Sequence, residues 1–311
     1  MRDLTVVLAS PRGFCAGVER AVGAVEEALA VHGAPVYVRH EIVHNIHVVN
    51  RLKAMGAVFV ENVADAPPDR PIVFSAHGAP KSAHDLAALR GVPVVDATCP
   101  LVHKVHAGIR RHVARGRHVV LVGHRGHPEV EGTMGQVPEG SVSLVETIAD
   151  IERLDPPPGT LAYATQTTLS MDDAAAAVAA LKRRFPDIEG PKGGDICYAT
   201  QNRQNAAKAI APTCDMVLVI GSPASSNSRR LVDVARGAGC PQAELVEDPR
   251  AFDLARLNGV RRLGVTSGAS APEELVEDFL ARLALQFHLR VKTVEVVKED
   301  VVFKRPLVAA E

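Results

Sequence analysis

The chain has 311 residues, 47% of them apolar, with 35 Lys and Arg set against 36 Asp and Glu. That length allows two or three domains with real cores, and the balanced charge leaves no electrostatic footprint for nucleic acid or an anionic membrane surface. No apolar run reaches the roughly 20 residues of a spanning helix, and the N-terminal run is too short for a secretory h-region, so the expected location is cytoplasmic.

The first run, VVLAS at 6–10, reads as a strand. It leads into GFCAGVERA, a glycine-bearing turn between strand and helix. Such a turn usually signals a phosphate cradle, yet Cys15 sits at its tip. A helix is expected over 17–33. Strands follow at 36–41, 57–62, 72–77 and 94–98, then at 118–124, 141–146 and 161–166. A second helix is expected over 170–185, with Ser170 as its cap. Further strands are expected at 216–222, 243–248 and 262–268. A helix over 271–287, with Ser270 and Glu273 at capping-box spacing, precedes a last strand at 291–297. Alternation of this kind predicts an α/β architecture with mostly parallel sheets. Aliphatic runs without polar alternation suit strands covered on both faces.

Twelve strands exceed one comfortable small sheet, and the chain carries a degenerate internal repeat. Block one reads VYVRHEIVHN, AVFVEN, IVFSAHGAP, VVDATCP. Block two reads HVVLVGHRGHPEVEG, SVSLVE, LAYATQTTLS, GGDICYATQNRQ. Block three reads MVLVIGSPASSNSRR, AELVED, RLGVTSGASAP, then the C-terminal strand. The first strand of each block ends in polar residues: His44 and Asn45; His127 and Glu129; Ser225, Ser226 and Asn227. The third strand does the same at 75–77, 165–168 and 266–270. Cys99 closes block one and Cys197 closes block two. Cys15 holds the closing position of block three if the chain is read as a circle. The expectation is three similar α/β domains, 16–98, 99–196 and 1–15 plus 197–311, in a pseudo-threefold trefoil. That arrangement points three thiols and the polar strand ends at one centre, where ligands of open α/β sheets bind.

Five scattered cysteines without a CxxC argue against a disulfide framework, a zinc ribbon or a thioredoxin motif. Three buried thiolates brought together repel one another unless a metal centre takes them up. Three cysteines with an open position suit zinc or an iron–sulfur cluster, and spacing does not choose between them. Cys214 and Cys240 read as small core residues. His32, His84, His112 and His118 read as surface residues. His44, His77 and His127 stand at strand ends, where imidazole binds a metal or donates N–H groups to an anion. Ser225, Asn227 and Ser270 add neutral donors, and Gly221 and Gly268 permit close backbone approach. Together these describe a diphosphate pocket. Glu129 is the one carboxylate inside the pattern and reads as a proton donor, with Thr167 to position or relay the proton; Glu131 reads as structural.

GFCAGVERA, EIVHN, FSAHG, DATCPLVHKVH, GHRGHPEVEGTMGQ, TQTTLS, DICYATQNRQ, SSNS and GASAP resemble the 4-hydroxy-3-methylbut-2-enyl diphosphate reductases from about residue 5 to residue 305. The resemblance implies a trefoil around a 4Fe–4S cluster with three ligands, Cys15, Cys99 and Cys197, and one open iron site for the substrate hydroxyl. It implies diphosphate binding by His44, His77, His127, Ser225, Ser226, Asn227 and Ser270. Glu129, Thr167 and His127 become the catalytic residues, with Thr167 also touching substrate. The implied reaction is reductive dehydroxylation to isopentenyl and dimethylallyl diphosphates, fed by ferredoxin or flavodoxin with its reductase. No segment is left over for an RNA-binding domain. The competing readings are a zinc-dependent hydrolase and a non-catalytic diphosphate-binding protein.

Overall fold

The protein is represented by a computed structural model that describes residues 1–308. Strand β1 (Arg2–Ser10) opens the chain and α1 (Ala16–His32) follows. Then come β2 (Val36–Arg39), α2 (Ile46–Ala54), β3 (Ala57–Val60), β4 (Ile72–Phe74), α3 (Lys81–Leu89) and β5 (Val94–Asp96). After α4 (Pro100–Ala114) come β6 (His118–Val122), α5 (Pro128–Met134), β7 (Val142–Val145), α6 (Ile148–Arg153), β8 (Leu161–Thr165) and α7 (Met171–Arg184). Helix α8 (Tyr198–Ile210) precedes β9 (Met216–Ile220), α9 (Ser226–Gly237), β10 (Ala243–Val246), β11 (Arg262–Ser267), α10 (Glu274–Ala284) and β12 (Phe287–Glu295). All twelve expected strands are present.

They form three sheets, in the orders β3-β2-β4-β5, β7-β6-β8 and β10-β9-β11-β1-β12. Every pairing is parallel. One scheme recurs. The first strand of a repeat is flanked by the second on one side and the third on the other, with a fourth segment beyond the third. In the first sheet that fourth segment is β5. In the second it is a single parallel bridge between Ala162 and Glu189. In the third it is β1.

The third sheet corrects the order expected from sequence, which gave that place to the C-terminal strand. Strand β1 pairs with β11 through Val6 and Leu263, and β12 lies outside it through Val6 and Val291. The burial of the two strands explains the choice. The middle of β1 is aliphatic and buried, whereas β12, FHLRVKTVE, is exposed along most of its length. A uniformly aliphatic run belongs inside a parallel sheet, and a charged strand belongs at an edge.

The chain divides into two compact units, one of Met1–Cys15, His44–Val48 and Tyr198–Val302, the other of Ala16–Val43, Val49–Cys197 and the stretch from Phe303. In the first unit, Leu4, Val6 and Leu8 of β1 pack with Leu275, Val276, Phe279 and Leu283 of α10. Val7 and Ala9, on the opposite face, pack with Ala206 and Ile210 of α8. Both faces of β1 are therefore covered, which is why its sequence does not alternate. In the second unit, Val120 and Val122 meet Ala174, Ala177 and Leu181 of α7. Val119 and Leu121, facing the other way, meet Val105 and Ile109 of α4. Ile72 and Phe74 of β4 pack with Ala83 and Ala87 of α3.

Ser170 caps α7, its oxygen accepting from the Asp173 N–H. Ser270 does not cap α10, which starts at Glu274 behind Glu273; its hydroxyl donates instead to the His44 carbonyl at 3.0 Å. The same helix ends at Ala284, earlier than expected, because Phe287 already belongs to β12. Among the described residues no helix is long and apolar enough to cross a membrane.

Candidate functional site

The three candidate cysteines occupy equivalent positions in the three repeats. Each lies between the fourth segment of its repeat and the next helix. Cys15 precedes α1, Cys99 is the N-cap of α4 and Cys197 precedes α8. Each backbone N–H is tied to the loop that follows the third strand of its repeat. Cys15 donates to Ala269 O at 3.3 Å, Cys99 to Ala76 O at 3.0 Å and Cys197 to Thr167 O at 3.1 Å. All three are half-buried and none is in a disulfide. Cys214 and Cys240 instead belong to an apolar cluster with Val217, Val219 and Leu231.

In the second unit the structure brings His77, His127, Glu129 and Thr167 together. Helix α5 opens with Pro128 at its first position, where a missing N–H costs nothing, and with His127 as its cap. It packs against the turn after β4. A Cβ on Gly132 would lie 3.1 Å from the Gly78 carbonyl, so any larger residue there would push the turn back by a few tenths of an ångström. Gln136 ties the same contact by donating to Ala79 O at 2.8 Å.

The close packing takes Glu129 out of solvent, leaving it 3% exposed. Thr167 holds it twice: its N–H donates to Oε1 at 2.6 Å and its hydroxyl to Oε2 at 3.0 Å. Burial raises the carboxyl from 4.5 to about 7, against the lowering effect of those two bonds and with help from Asp195. Asp195 is itself a buried acid with a raised carboxyl, accepting from the Thr165 N–H at 3.1 Å. An acid tuned to near neutrality and shielded from water is equipped to donate a proton. Glu131 is exposed.

The imidazoles of His77 and His127 meet edge to face with centroids 5.6 Å apart. His127 Nδ1 accepts from the Glu129 N–H at 3.1 Å, so in the neutral ring Nε2 carries the proton. His127 thus offers one N–H to a ligand, where the sequence suggested two. Ser75 lies 3.4 Å from His77 Nδ1. The four histidines expected at the surface, His32, His84, His112 and His118, are all half-buried: His84 packs edge-on to Phe74 and His118 Nε2 lies 2.8 Å from Ser143 Oγ.

In the first unit, His44 and Ser270 are joined by the hydroxyl-to-carbonyl bond already described. Ser225 caps α9, its oxygen accepting from the Ser228 N–H at 3.3 Å; Ser226 and Asn227 form the first turn. Around them, both polar atoms of the Asn227 amide and the hydroxyls of Ser228, Thr266 and Ser267 are buried without a hydrogen-bond partner. Such atoms are costly to leave unmet. A ligand with several acceptor oxygens meets the donors among them, at a helix N-terminus that favours negative charge. Gly268 keeps the cradle open, because a Cβ there would lie 2.0 Å from Ser228 Oγ.

Each of the three cysteines is half-buried on its loop and none is in a disulfide, so each keeps a thiol of the kind a thiolate-held cluster takes. Among the described residues no three His, Cys, Asp or Glu side chains are grouped to hold a single metal ion.

Sequence reasoning missed Arg203, a fully buried side chain in α8. It donates to Gly13 O at 3.0 and 2.8 Å, to Phe14 O at 3.1 Å and to Ala199 O at 3.0 Å, and it pairs with Glu299 at 3.0 Å. It therefore fixes the turn that carries Cys15. The available signal was an arginine on the core-facing side of a helix. Ser228, Thr266 and Ser267 were also missed as cradle residues, since hydroxyls at element ends read as caps.

The model of the family described as LytB protein matches residues 6–284. The 4-hydroxy-3-methylbut-2-enyl diphosphate reductase of Paracoccus denitrificans is 57% identical over 309 residues, covering 99% of this chain and 98% of that protein. The enzyme of the same name from Phenylobacterium zucineum is 57% identical over 304 residues, covering 97% and 96%. Among solved structures, the E-1-hydroxy-2-methyl-but-2-enyl-4-diphosphate reductase from Plasmodium falciparum superposes with a TM-score of 0.94 at 37% identity, over 98% of this chain and 96% of that one. A second structure, of an (E)-4-hydroxy-3-methyl-but-2-enyl diphosphate reductase, gives 0.65 at 31% identity, over 91% and 99%.

Proposed function

We propose a function from one premise: the chain belongs to the LytB protein family. It is a reductase that removes the allylic hydroxyl of 4-hydroxy-3-methylbut-2-enyl diphosphate, yielding isopentenyl and dimethylallyl diphosphates. The balance is two electrons and two protons in, one water out. One proton turns the hydroxyl into water, and the second adds at either end of the allylic system, which accounts for two products.

The observation that carries this reading is the role of Thr167. It holds the buried acid Glu129 through its N–H and hydroxyl, and its carbonyl accepts from the N–H of Cys197. A proton donor and a candidate metal ligand thus share one residue. We assign Cys15, Cys99 and Cys197 as ligands of a 4Fe–4S cluster. When bound, it supplies the reducing electrons and an open, Lewis-acidic iron. Glu129 delivers the proton to the leaving oxygen, and Thr167 keeps its carboxyl oriented. His44, His77, His127 through Nε2, Ser225, Ser226, Asn227 and Ser270 bind the diphosphate, and the buried unmet donors around Asn227 and Ser228 support that reading. Electrons come from ferredoxin or flavodoxin, the location is cytoplasmic, and the three repeats, 16–98, 99–196 and 1–15 plus 197–311, are the domains.

The test is Glu129→Gln in protein purified without oxygen. The variant keeps its iron and binds substrate with unchanged affinity, but turnover falls by about 10²-fold or more. Normal turnover with weakened binding would assign Glu129 to substrate binding instead.

A further inference from the structure

Residues 97–128 contain no Asp or Glu but six Lys or Arg and six His, in a chain whose charges balance only as a whole. Helix α4 gathers part of this charge on one face. Lys104, Gly108, Arg111 and Arg115 recur at i, i+4, i+7 and i+11, the spacing of a single helical stripe. The three cationic members are exposed. They face residues 190–195, and with Lys192, Tyr163 and Asp195 they line a cleft of about 370 Å³ floored by Val105, Ile109 and Ala164. Lys104 Nζ donates across it to Gly194 O at 2.8 Å. The neighbouring acids offset only part of the charge: Glu189 is paired with Arg117, and the buried Asp195 faces Lys104 alone of the stripe. Gly108 is a notch in the stripe, since a Cβ there would meet nothing within 4 Å. Both walls lead to cysteines. Helix α4 begins one residue after Cys99, and the 190–196 segment runs into Cys197.

We propose that this basic cleft is the docking face for an acidic protein that carries one electron at a time. The inference rests on the reductase reading above. Each turnover consumes two electrons, so two reduced carriers dock in succession and each leaves oxidised by one electron. The extent of the charge decides for a protein over a small anion. The stripe covers residues 104–115, about 16 Å of helix, far longer than one phosphate, and its apolar floor and glycine notch accept a protruding side chain. Spread cationic charge steers an acidic partner and makes association sensitive to salt.

The experiment uses a plant-type ferredoxin as the carrier and reduced methyl viologen as a small-molecule reductant, with two variants: the triple charge reversal Lys104→Glu, Arg111→Glu, Arg115→Glu, and Gly108→Leu. The KM for ferredoxin is expected to rise about tenfold or more in each, while viologen-driven turnover stays unchanged. Calorimetric titration with oxidised ferredoxin is expected to weaken by a similar factor, and wild-type affinity to fall as salt rises. Unchanged ferredoxin KM and affinity in both variants, or salt-independent binding, would overturn the proposal. So would pyrophosphate that fills the cleft and is blocked by Gly108→Leu while ferredoxin binding is unaffected. Absence of viologen-driven turnover in the iron-replete wild type would refute the reductase reading alone, and the titration would still decide the docking face.

Discussion

Thr167 donates two hydrogen bonds to Glu129, one to each carboxylate oxygen, at 2.6 and 3.0 Å. The pair bridges α5 and the turn just beyond β8, so the acid on one element is oriented by the backbone and side chain of another. Because both oxygens are engaged by one residue, the carboxyl cannot swing without losing two bonds at a position almost closed to solvent.

That burial makes a prediction about pH. The Glu129 carboxyl lies at about 7 in the folded protein against an ordinary 4.5. Between those values the native state keeps a proton that the unfolded chain has released. Stability therefore falls as pH rises through this window and levels off above it. The full effect is about 3 kcal/mol. Glu129→Gln removes it, so urea denaturation is expected to show the variant gaining on the wild type at pH 8 relative to acid conditions. Asp195, also raised by burial, is common to both proteins, so only its coupling to Glu129 enters the difference. Parallel stability curves would refute the assignment. Wild-type kcat is likewise expected to decline above about pH 7, where the donor loses its proton.

The hydroxyl cradle of the first unit is sensitive to a single methyl. A Cβ on Gly268 would sit 2.0 Å from Ser228 Oγ and 3.5 Å from Asn227 Nδ2. Gly268→Ala is expected to weaken diphosphate binding by about tenfold and to cost about 1–3 kcal/mol of stability. Gly237→Ala, where a Cβ meets nothing within 4 Å, serves as the control: it leaves binding unchanged and, being at the end of helix α9, does not destabilise. Pyrophosphate titration and chemical denaturation read the two effects separately.

The cysteines divide into two classes by position. Serine at Cys15, Cys99 or Cys197 is expected to lower bound iron and sulfide and abolish turnover. Serine at Cys214 or Cys240, which lie in an apolar cluster, is expected to leave iron content intact and lower stability only. Elemental analysis of the five anaerobically purified variants decides it, and full iron content in any of the first three removes that residue from the ligand set.

Arg203→Met is expected to destabilise the protein by about 3–5 kcal/mol. The substitution strands the Glu299 carboxylate and frees the Gly13 and Phe14 carbonyls. The turn carrying Cys15 then loosens, so iron content is expected to drop even under conditions where the variant stays folded by circular dichroism. Arg203→Lys restores the charge but not the fork of donors, and only part of the iron is expected to return.

Much of this was legible in the sequence because the aliphatic runs are strong and their polar ends recur. VVLAS, HVVLVGH and MVLVIGS signal covered parallel strands, and the spacing of Cys15, Cys99 and Cys197 follows the repeat. The place of β1 was not legible. Which strand lies beside β11 depends on a pairing between chain ends far apart in sequence, decided by the greater burial available to LTVVLAS than to FHLRVKTVE. Arg203 was hidden for a similar reason: an arginine on a helix reads as solvated until its carbonyl partners are known. Ser270 looked like a cap because local spacing was the only information, whereas its hydroxyl is used by His44.

The most direct measurement is the stoichiometry of turnover. Protein purified without oxygen is given 4-hydroxy-3-methylbut-2-enyl diphosphate and excess reduced methyl viologen, and viologen oxidation is followed alongside product analysis. The reductase account predicts two viologen molecules oxidised per substrate consumed, with isopentenyl and dimethylallyl diphosphates as the products. Iron-replete protein that leaves the viologen reduced, or that consumes the substrate by releasing phosphate, would contradict it.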